Sequence, residues 1–487
     1  MTGAAPGGPT AGGPAPGGPA PDGDDAPSGD AGPRLPRAGP RLGVVADDYT
    51  GAVDVAATLR EAGARVELHL GVPPLERAGA DGDVVVVGLK TRSVEAGAAA
   101  EASVAAARWL LDVGAARLFQ KYSSTFDSTD AGNIGPVADA LCAELRRRGN
   151  PPPVVLFCPA VPRYGRTVYQ GHLFVGNRLL SEAGMHPLTP RTDADLVRRL
   201  ARQTREGVGL LPHQALTGGA DGARAALDRL AAAGVRYVVA DAVDDADLAV
   251  LGQVARAHPL VTGAAGVATA LLDAVRPGPD AGHATSLPFV EPRPGEHPVE
   301  AAPPGSPPVD RPPADLPGAL LAGSCTAETL EQVRRFEDRW PVLRFRPTEV
   351  ATGRDVVGEA RSLAVDHLAD GPVGVVASAP PDVVRTEQEA LGRDRAAVLV
   401  ERTLGEVAEA LLTLGVRRLV TAGGETSGAV VERCGITHGT VGAAEAPGVA
   451  WLRVDAPRWG DPLWVLLKSG PLGDEDVLVR ALGPEAR

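Results

Sequence analysis

The chain has 487 residues, more than the roughly 100–200 of one ordinary domain, so we expect two or three domains. Its formal net charge of −13 excludes a general electrostatic attraction for nucleic acid or anionic lipid. No apolar run approaches the roughly 18 residues that span a bilayer, and four cysteines without a C-x-x-C pair argue against a disulfide framework. We therefore expect a cytoplasmic multidomain protein without nucleic-acid or membrane partners. It could form a homo-oligomer, and the sequence leaves its oligomeric state open.

Two segments rich in Gly and Pro divide the chain. Residues 1–40 contain 11 Gly and 10 Pro, which predicts a disordered tail. Residues 276–317 contain 13 Pro, which predicts an extended linker. The remaining blocks, 41–275 and 318–487, are each long enough for a hydrophobic core. We expect an N-terminal and a C-terminal domain.

Short Val/Leu runs alternate with Ala-, Leu- and Arg-rich stretches of helical length in both blocks. The predicted strands are Leu42–Ala46, Val84–Gly88, Arg117–Gln120, Val154–Phe157, Val208–Leu211, Tyr237–Ala240, Ala319–Ala322, Val373–Ala377, Arg417–Thr421, Val449–Val454 and Trp464–Leu467. Continuous apolar runs are typical of strands buried on both faces of a parallel sheet. The predicted fold is α/β, with two open, mostly parallel-sheet domains joined by the Pro-rich linker. Ligands bind beyond the carboxyl ends of such strands.

Two adjacent carboxylates, Asp47 and Asp48, follow the first predicted strand directly. Neighbouring carboxylates repel each other unless a cation or substrate hydroxyls share them. Either one could accept a proton from a sugar hydroxyl or bind magnesium through water. The alternative for Asp48 is that it only caps the helix that follows.

Basic groups collect at strand ends of this acidic chain. Its only three lysines, Lys90, Lys121 and Lys468, each end an apolar run. Arg92 follows the first of them and can grip a carboxylate with two parallel hydrogen bonds. Asp127 and Asn133 belong to a Ser/Thr-rich segment whose many short polar groups suit a polyhydroxylated molecule.

A third polar segment, GRTVYQGHLFVGN, contains Arg166 and His172 between Gly and Pro residues. A single histidine is more often a structural residue than an acid or a base, so His172 is a weaker candidate for substrate contact.

Three strand–turn–helix patterns in the C-terminal block suggest a phosphate site. LVTAGGETSGAVV contains the turn Gly423–Thr426 before a helix, LLAGSCTAETL has Ser324 at its turn, and LLKSG adds Lys468 and Gly470. Glycines let the backbone approach a ligand, and the amides at a helix N-terminus favour phosphate. No Walker A, G-x-G-x-x-G, H-E-x-x-H or G-x-S-x-G motif is present, which argues against P-loop, nicotinamide, zinc-hydrolase and serine-hydrolase functions.

Seven ordered motifs resemble the four-carbon acid sugar kinase family across residues 42–476. They are ADDYTGA, KYSSTFDST-x-x-GNIGP, GRTVYQGHLF, HPLTPRTDADLV, the GSC turn, AGGETSGAVV and LLKSG. The third and fourth are most similar to the 3-oxo-tetronate kinase branch. Two departures are Ala264-Ala265 within GAAG, where Gly-Ser is commoner, and Pro471-Leu472, where Asn-Phe is usual.

The resemblance implies an N-terminal domain that binds the acid sugar and a C-terminal domain that binds ATP, with Mg²⁺ as the expected metal and no ligands assigned to it. It implies transfer of the γ-phosphoryl group to the 4-hydroxyl of 3-oxo-tetronate. The residues it places at ATP are Ser324, Gly423, Gly424, Glu425, Thr426 and Gly470, to which the strand-end pattern adds Lys468. Those it places at the sugar are Asp47, Asp48, Arg92, Lys121 and Arg166, to which the polar segments add Asp127, Asn133 and His172.

The sequence leaves two alternatives open. A D-threonate or D-erythronate kinase would share these motifs. A regulator that binds nucleotide and sugar acid without turnover is disfavoured by the intact Asp47-Asp48 pair and Gly-Gly turn.

Overall fold

The computed structural model describes residues 41–74, 82–183, 193–275 and 311–483, except 455, 457 and 461. We call residues 41–275 the N-terminal lobe and residues 311–483 the C-terminal lobe. The strands of the N-terminal lobe are β1 (Leu42–Ala46), β2 (Val66–Leu70), β3 (Val84–Gly88), β4 (Leu118–Lys121), β5 (Val155–Cys158), β6 (Arg166–Tyr169), β7 (His172–Val175), β8 (Arg178–Leu179), β9 (Gly207–Leu211), β10 (Val235–Ala240) and β11 (Leu260–Gly263). Its helices are α1 (Tyr49–Glu61), α2 (Ala96–Asp112), α3 (Ile134–Arg147), α4 (Leu196–Ala201), α5 (His213–Leu216), α6 (Gly219–Ala232), α7 (Asp245–Ala255) and α8 (Ala265–Val275).

The C-terminal lobe repeats the alternation of strands and helices. Its strands are β12 (Gly318–Ala322), β13 (Val342–Arg344), β14 (Val373–Val376), β15 (Arg418–Ala422), β16 (His438–Ala446), β17 (Val449–Val454) and β18 (Leu463–Lys468). Its helices are α9 (Ala327–Glu337), α10 (Pro347–Ala351), α11 (Val356–His367), α12 (Pro381–Leu391), α13 (Arg393–Thr413), α14 (Gly424–Cys434) and α15 (Val477–Leu482).

One sheet runs through both lobes. Its order is β13-β14-β12-β15-β18-β17-β16-β2-β3-β1-β4-β11-β5-β10-β9. The pairs are parallel except β18–β17, β17–β16 and β16–β2. The β16–β2 pair, His438 with His69 and Gly439 with Leu68, joins the lobes. A separate small sheet contains β6, β7 and β8.

The buried faces of the strands explain the parallel sheet. Every residue of β1, β3, β12 and β15 is buried, because helices cover both faces. Parallel neighbours end at the same edge, so β3, β1 and β4 place the residues after them side by side. In the C-terminal lobe, β12, β15 and β18 do the same.

The α/β fold class with a mostly parallel sheet is confirmed. Leu42–Ala46, Val84–Gly88 and Val449–Val454 have the predicted bounds, and the other predicted strands are correct to within one or two residues at each end. Phe157 is fully buried in the core. The tail at 1–40 and the linker prediction at 276–310 lie outside the described residues, and no helix in the described part of the chain is long and apolar enough to cross a membrane.

Four strands of the main sheet were not predicted: Val66–Leu70, Leu260–Gly263, Val342–Arg344 and His438–Ala446. The small three-stranded sheet was not predicted either. β2 alternates polar and apolar residues, and β16 consists largely of Gly and Ala. Neither has the continuous apolar run by which the other strands were predicted. Both lie where the lobes join, and their pairing with each other keeps them in the sheet.

Candidate active site

Asp47 and Asp48 share one guanidinium at the carboxyl end of β1. Arg92 donates from Nε and Nη2 to Asp47 at 2.9 and 2.6 Å, and from Nη1 and Nη2 to Asp48 at 3.0 and 2.8 Å. Four of the five N–H groups of the arginine are thereby used. The cation that the adjacent carboxylates require is thus Arg92, a residue predicted to contact the acid sugar.

The two aspartates differ in the hydrogen bonds that they accept. Asp48 also accepts from Thr50 Oγ1 at 2.6 Å and from the Gly51 amide at 2.8 Å, so it caps α1 and is paired with Arg92 as well. Asp47 accepts from no side chain but Arg92 among the described residues. Asp47 therefore keeps acceptor capacity for a ligand, whereas the four lone-pair positions of Asp48 are filled.

The environment moves the pKa values of the two carboxyls in opposite directions. Burial raises the pKa of Asp47 above its ordinary value of 3.8, and Arg92 only partly offsets this effect. Burial also acts to raise the pKa of Asp48, but Arg92, Lys121, Thr50 and Gly51 together lower it. Opposite shifts in adjacent carboxyls are typical of an acid–base pair with divided roles.

Asn133 and Asp127 hold the loops around this pair. Asn133 Nδ2 donates to the carbonyl of Thr91 at 2.6 Å, and the carbonyls of Arg92 and Val94 lie at 3.3 Å. Asp127 accepts from the hydroxyls of Ser123 and Thr125, each at 2.7 Å. Asn133 thus fixes the segment that carries Arg92, so its amide supports the site from behind.

Lys121 lies near the start of α1, where a Cβ on Gly51 would be 3.1 Å from its Nζ. Its buried Nζ donates to the carbonyl of Tyr122 at 3.2 Å and lies 3.5 Å from Asp54 Oδ2. The hydroxyl of Tyr164 donates to Asp54 Oδ1 at 3.2 Å. Arg166 donates to the backbone carbonyl of Tyr164, the residue whose hydroxyl contacts Asp54.

His172 lies in β7 of the small sheet. Its Nδ1 is 2.8 Å from the carbonyl of Gln170, and its backbone bridges to Asp195. No hydrogen bond within the described part of the chain links it to Lys121 or to the aspartates. Its role stays a prediction.

Three turns converge at the carboxyl ends of β12, β15 and β18. Gly423 has a φ of +123°, a backbone conformation that favours glycine. A Cβ on Gly423 would lie 3.1 Å from the amide nitrogen of Ser324, and one on Gly470 would lie 2.5 Å from Ser324 Oγ. Helix α14 begins at Gly424, and no side chain caps its N-terminus. The result is a tight glycine-lined turn with open amides, the arrangement that binds phosphate.

Lys468 and Thr426 lie behind this turn. Lys468 is fully buried, and its Nζ donates to the carbonyls of Ser469, Gly470 and Leu472 at 3.0, 2.6 and 3.1 Å. Burial lowers the pKa of Lys468 to about 7, but three carbonyl acceptors favour the ammonium, because a neutral amine donates only two N–H groups. Lys468 therefore holds the Gly470 loop in place.

The two clusters face each other across the lobes. A Cβ on Gly424 would lie 3.5 Å from Asp48 Oδ2 and 3.9 Å from Thr50 Oγ1. Ser93 donates to Glu425 at 2.6 Å, and Lys90 lies 3.1 Å from Glu401. The glycine turn and the aspartate pair thus lie side by side where the lobes meet, and we call this junction the cleft.

Sequence reasoning missed Asp54, Tyr164 and Glu401. Asp54 carries the only acidic side chain inside the otherwise buried stretch 49–59 of α1, a signal that could have identified it. Glu401 lies in the middle of α13, where nothing local distinguishes it from a surface residue.

Comparisons with known proteins cover nearly all of both lobes. Residues 42–271 match the sugar-binding N-terminal domain family, and residues 319–478 match the nucleotide-binding C-terminal domain family. A relative from Burkholderia multivorans, named 3-oxo-tetronate kinase, is 44% identical over 91% of this chain and 97% of its own length. One of the same name from Methylobacterium radiotolerans is 45% identical over 91% and 98%.

Solved structures share the fold. A protein from Salmonella typhimurium LT2 superposes with a TM-score of 0.72 at 35% identity, covering 90% of this chain and 98% of its own. One from Haemophilus influenzae has a TM-score of 0.65 at 34% identity, covering 90% and 99%.

The pairing of Arg92 with two carboxylates predicts a pH-dependent stability loss. Arg92→Leu leaves both acids buried without their cation, which costs about 3–5 kcal/mol near neutral pH. Without Arg92 the folded-state pKa of Asp47 rises further above its unfolded value, and that of Asp48 is no longer lowered by the cation. The folded protein then binds more protons than the unfolded chain and loses stability as the pH rises towards the folded-state pKa values. Urea unfolding at pH 5 and pH 8 measures the difference, with a larger deficit expected at pH 8.

Arg65→Leu is the matched control, since Arg65 pairs with Asp83 at 3.1 Å on the surface. It should cost at most about 1 kcal/mol at either pH. Equal, small deficits for both variants would contradict the assignment.

Proposed function

The chain belongs to the four-carbon acid sugar kinase family, and we propose that it transfers the γ-phosphoryl group of ATP to the 4-hydroxyl of 3-oxo-tetronate. The observation that carries the proposal is the approach of Gly424 to Asp48, which puts a phosphate-binding turn beside a buried acid pair. Phosphoryl transfer depends mainly on positioning and charge stabilisation, and this cleft offers both. The names of the relatives support the choice of acid.

ATP fits the glycine turn. Its phosphates would receive hydrogen bonds from the amides at the start of α14. Gly423 and Gly470 have no Cβ and therefore let their backbones pack closely against Ser324, which holds the turns together. Thr426, whose Oγ1 would lie 2.4 Å from a Cβ on Gly323, packs under the same turn. Lys468 acts from behind by fixing the Gly470 loop.

The acid sugar would lie on the N-terminal side of the cleft. Because Arg92 uses four of its N–H groups on the aspartates, we assign the sugar carboxylate to Lys121 and Arg166 instead. Asp54 orients Lys121 from 3.5 Å. Arg92, Asp127 and Asn133 then shape the site without binding the carboxylate.

Asp47 is the proposed general base. It has the raised pKa and the free acceptor capacity, so it can take the proton of the 4-hydroxyl as the phosphorus–oxygen bond forms. Asp48, saturated with hydrogen bonds, keeps Arg92 and the start of α1 in place.

Mg²⁺ is the metal that this reaction class uses, and it prefers oxygen ligands. Glu425 lies in the first turn of α14, directly after the glycine turn, and its carboxylate would hold the ion, whereas the lone-pair positions of Asp48 are already filled. When bound, the ion would neutralise charge on the phosphates. A cytoplasmic location remains a prediction.

A coupled ADP-release assay over a panel of four-carbon acids tests the proposal. We expect the highest kcat/KM with 3-oxo-tetronate and lower values with D-threonate and D-erythronate. Turnover confined to one of the latter would identify that kinase instead, and saturable binding without ADP release would indicate a regulator.

The base assignment predicts the effect of Asp47→Asn. We expect kcat to fall by about 10²–10⁴-fold, the usual contribution of a general base. In the wild type, kcat/KM should rise with pH through a pKa above 3.8, because the base must be ionised, and this limb should disappear in the variant. Stopped-time assays between pH 4 and pH 8 measure both effects.

Asp48→Asn is the comparison for Asp47→Asn. It removes the carboxylate that caps α1 and pairs with Arg92, so it should lower the Tm. A near wild-type kcat in Asp47→Asn, at an unchanged pH profile, would refute the assignment.

Gly423→Ala tests the phosphate turn. The new Cβ would contact Ser324, and alanine is strained at a φ of +123°, so the turn and its amides should shift. The KM for ATP should then rise about tenfold or more, as expected for the loss of one charged hydrogen bond. The KM for the acid should change little. Steady-state kinetics with each substrate varied separates the two values.

Gly353→Ala is the matched control, because Gly353 has a φ of +98° and a Cβ there meets nothing within 4 Å. It carries the same backbone strain away from the cleft and should leave the KM for ATP unchanged. An equal effect of the two variants would refute a nucleotide role for the turn.

A further inference from the structure

Two histidines and a glutamate meet where the lobes join, away from the cleft. Glu67 and His69 lie on one face of β2, and His438 is the residue of β16 that pairs with His69. The imidazole rings of the two histidines are 5.1 Å apart. One potential ligand atom from each of the three residues lies within 4.8 Å of the other two.

His69 is unusual for a core residue. Its side chain is 1% exposed, Nε2 lies 2.8 Å from Glu67 Oε1, and Trp109 packs edge-on against the ring. Nδ1 is buried and has no hydrogen-bond partner among the described residues. A buried polar atom without a partner is costly, and an ion is one of the occupants that account for such atoms.

We propose that Glu67, His69 and His438 bind a divalent transition-metal ion of the Zn²⁺ type. Two imidazoles and one carboxylate form a donor set that Zn²⁺ takes with nitrogen and oxygen distances of about 2.0–2.2 Å. The three ligand atoms lie within 4.8 Å of one another, and a tetrahedral ion would draw them to about 3.3–3.6 Å. A hard ion such as Mg²⁺ would prefer oxygen ligands, which separates this site from the nucleotide site.

The ion would tie the two lobes together. Glu67 and His69 belong to the N-terminal lobe and His438 to the C-terminal lobe. The β16–β2 ladder has only two residue pairs, which gives this edge of the sheet few hydrogen bonds of its own. A metal bridging the strands would hold the lobes at their joint while leaving the cleft accessible.

Zn²⁺ titration of the full-length protein tests the proposal. The protein is stripped with EDTA, dialysed and titrated by calorimetry without ATP. We expect one saturable Zn²⁺ site, a higher Tm with Zn²⁺, and a Co²⁺ spectrum with the intense visible bands of low-coordinate Co²⁺. In His438→Gln and Glu67→Gln, the affinity for Zn²⁺ should fall by more than about tenfold. Loss of a residue that only hydrogen-bonds to a metal ligand already has an effect of about this size, and these two residues are direct ligands in the proposal.

His367→Gln is the matched control, because His367 is an exposed histidine at the end of α11. It should bind Zn²⁺ as the wild type does. Circular dichroism and kcat, expected to be unchanged in His438→Gln, show that the variant is folded. Absence of saturable Zn²⁺ binding, or equal affinities of the His438 and His367 variants, would overturn the proposal.

Discussion

The cleft depends on one guanidinium shared by two neighbouring carboxylates. Two acids in sequence at a buried strand end could not both stay ionised without a cation, and Arg92 provides it from the loop after β3. Asn133 in turn fixes that loop by its hydrogen bond to Thr91. The position of the acids therefore depends on three strand ends that lie side by side only because β3, β1 and β4 are parallel neighbours.

The two aspartates that share Arg92 differ in their other hydrogen bonds and therefore in their proposed roles. Arg92 contacts both acids, but only Asp48 also receives the hydroxyl of Thr50 and the amide of Gly51. Asp48 becomes an ionised anchor, whereas Asp47 keeps a raised pKa and room for a ligand. A glycine turn from the other lobe lies against Asp48, and we propose that its backbone amides bind the phosphates.

Much of this could be predicted from the sequence, because strand ends in parallel sheets collect functional residues. The Asp47-Asp48 pair, Lys121 and the turn at Gly423 all follow continuous apolar runs, and the structure places them around one cleft. The partners could not be predicted. Whether Arg92 faces a substrate or an aspartate depends on side-chain geometry, and Lys468 looks like a phosphate ligand until its three carbonyl partners are known. β2 and β16 escaped prediction because contacts between the lobes, and not local composition, make them strands.

The most direct measurement is a crystal structure of the protein with a non-hydrolysable ATP analogue and 3-oxo-tetronate. The account predicts the γ-phosphate at the amides that begin α14 and the 4-hydroxyl within about 2.6–3.2 Å of the Asp47 carboxylate. A sugar acid bound out of reach of Asp47, or a triphosphate bound away from Gly424, would contradict it.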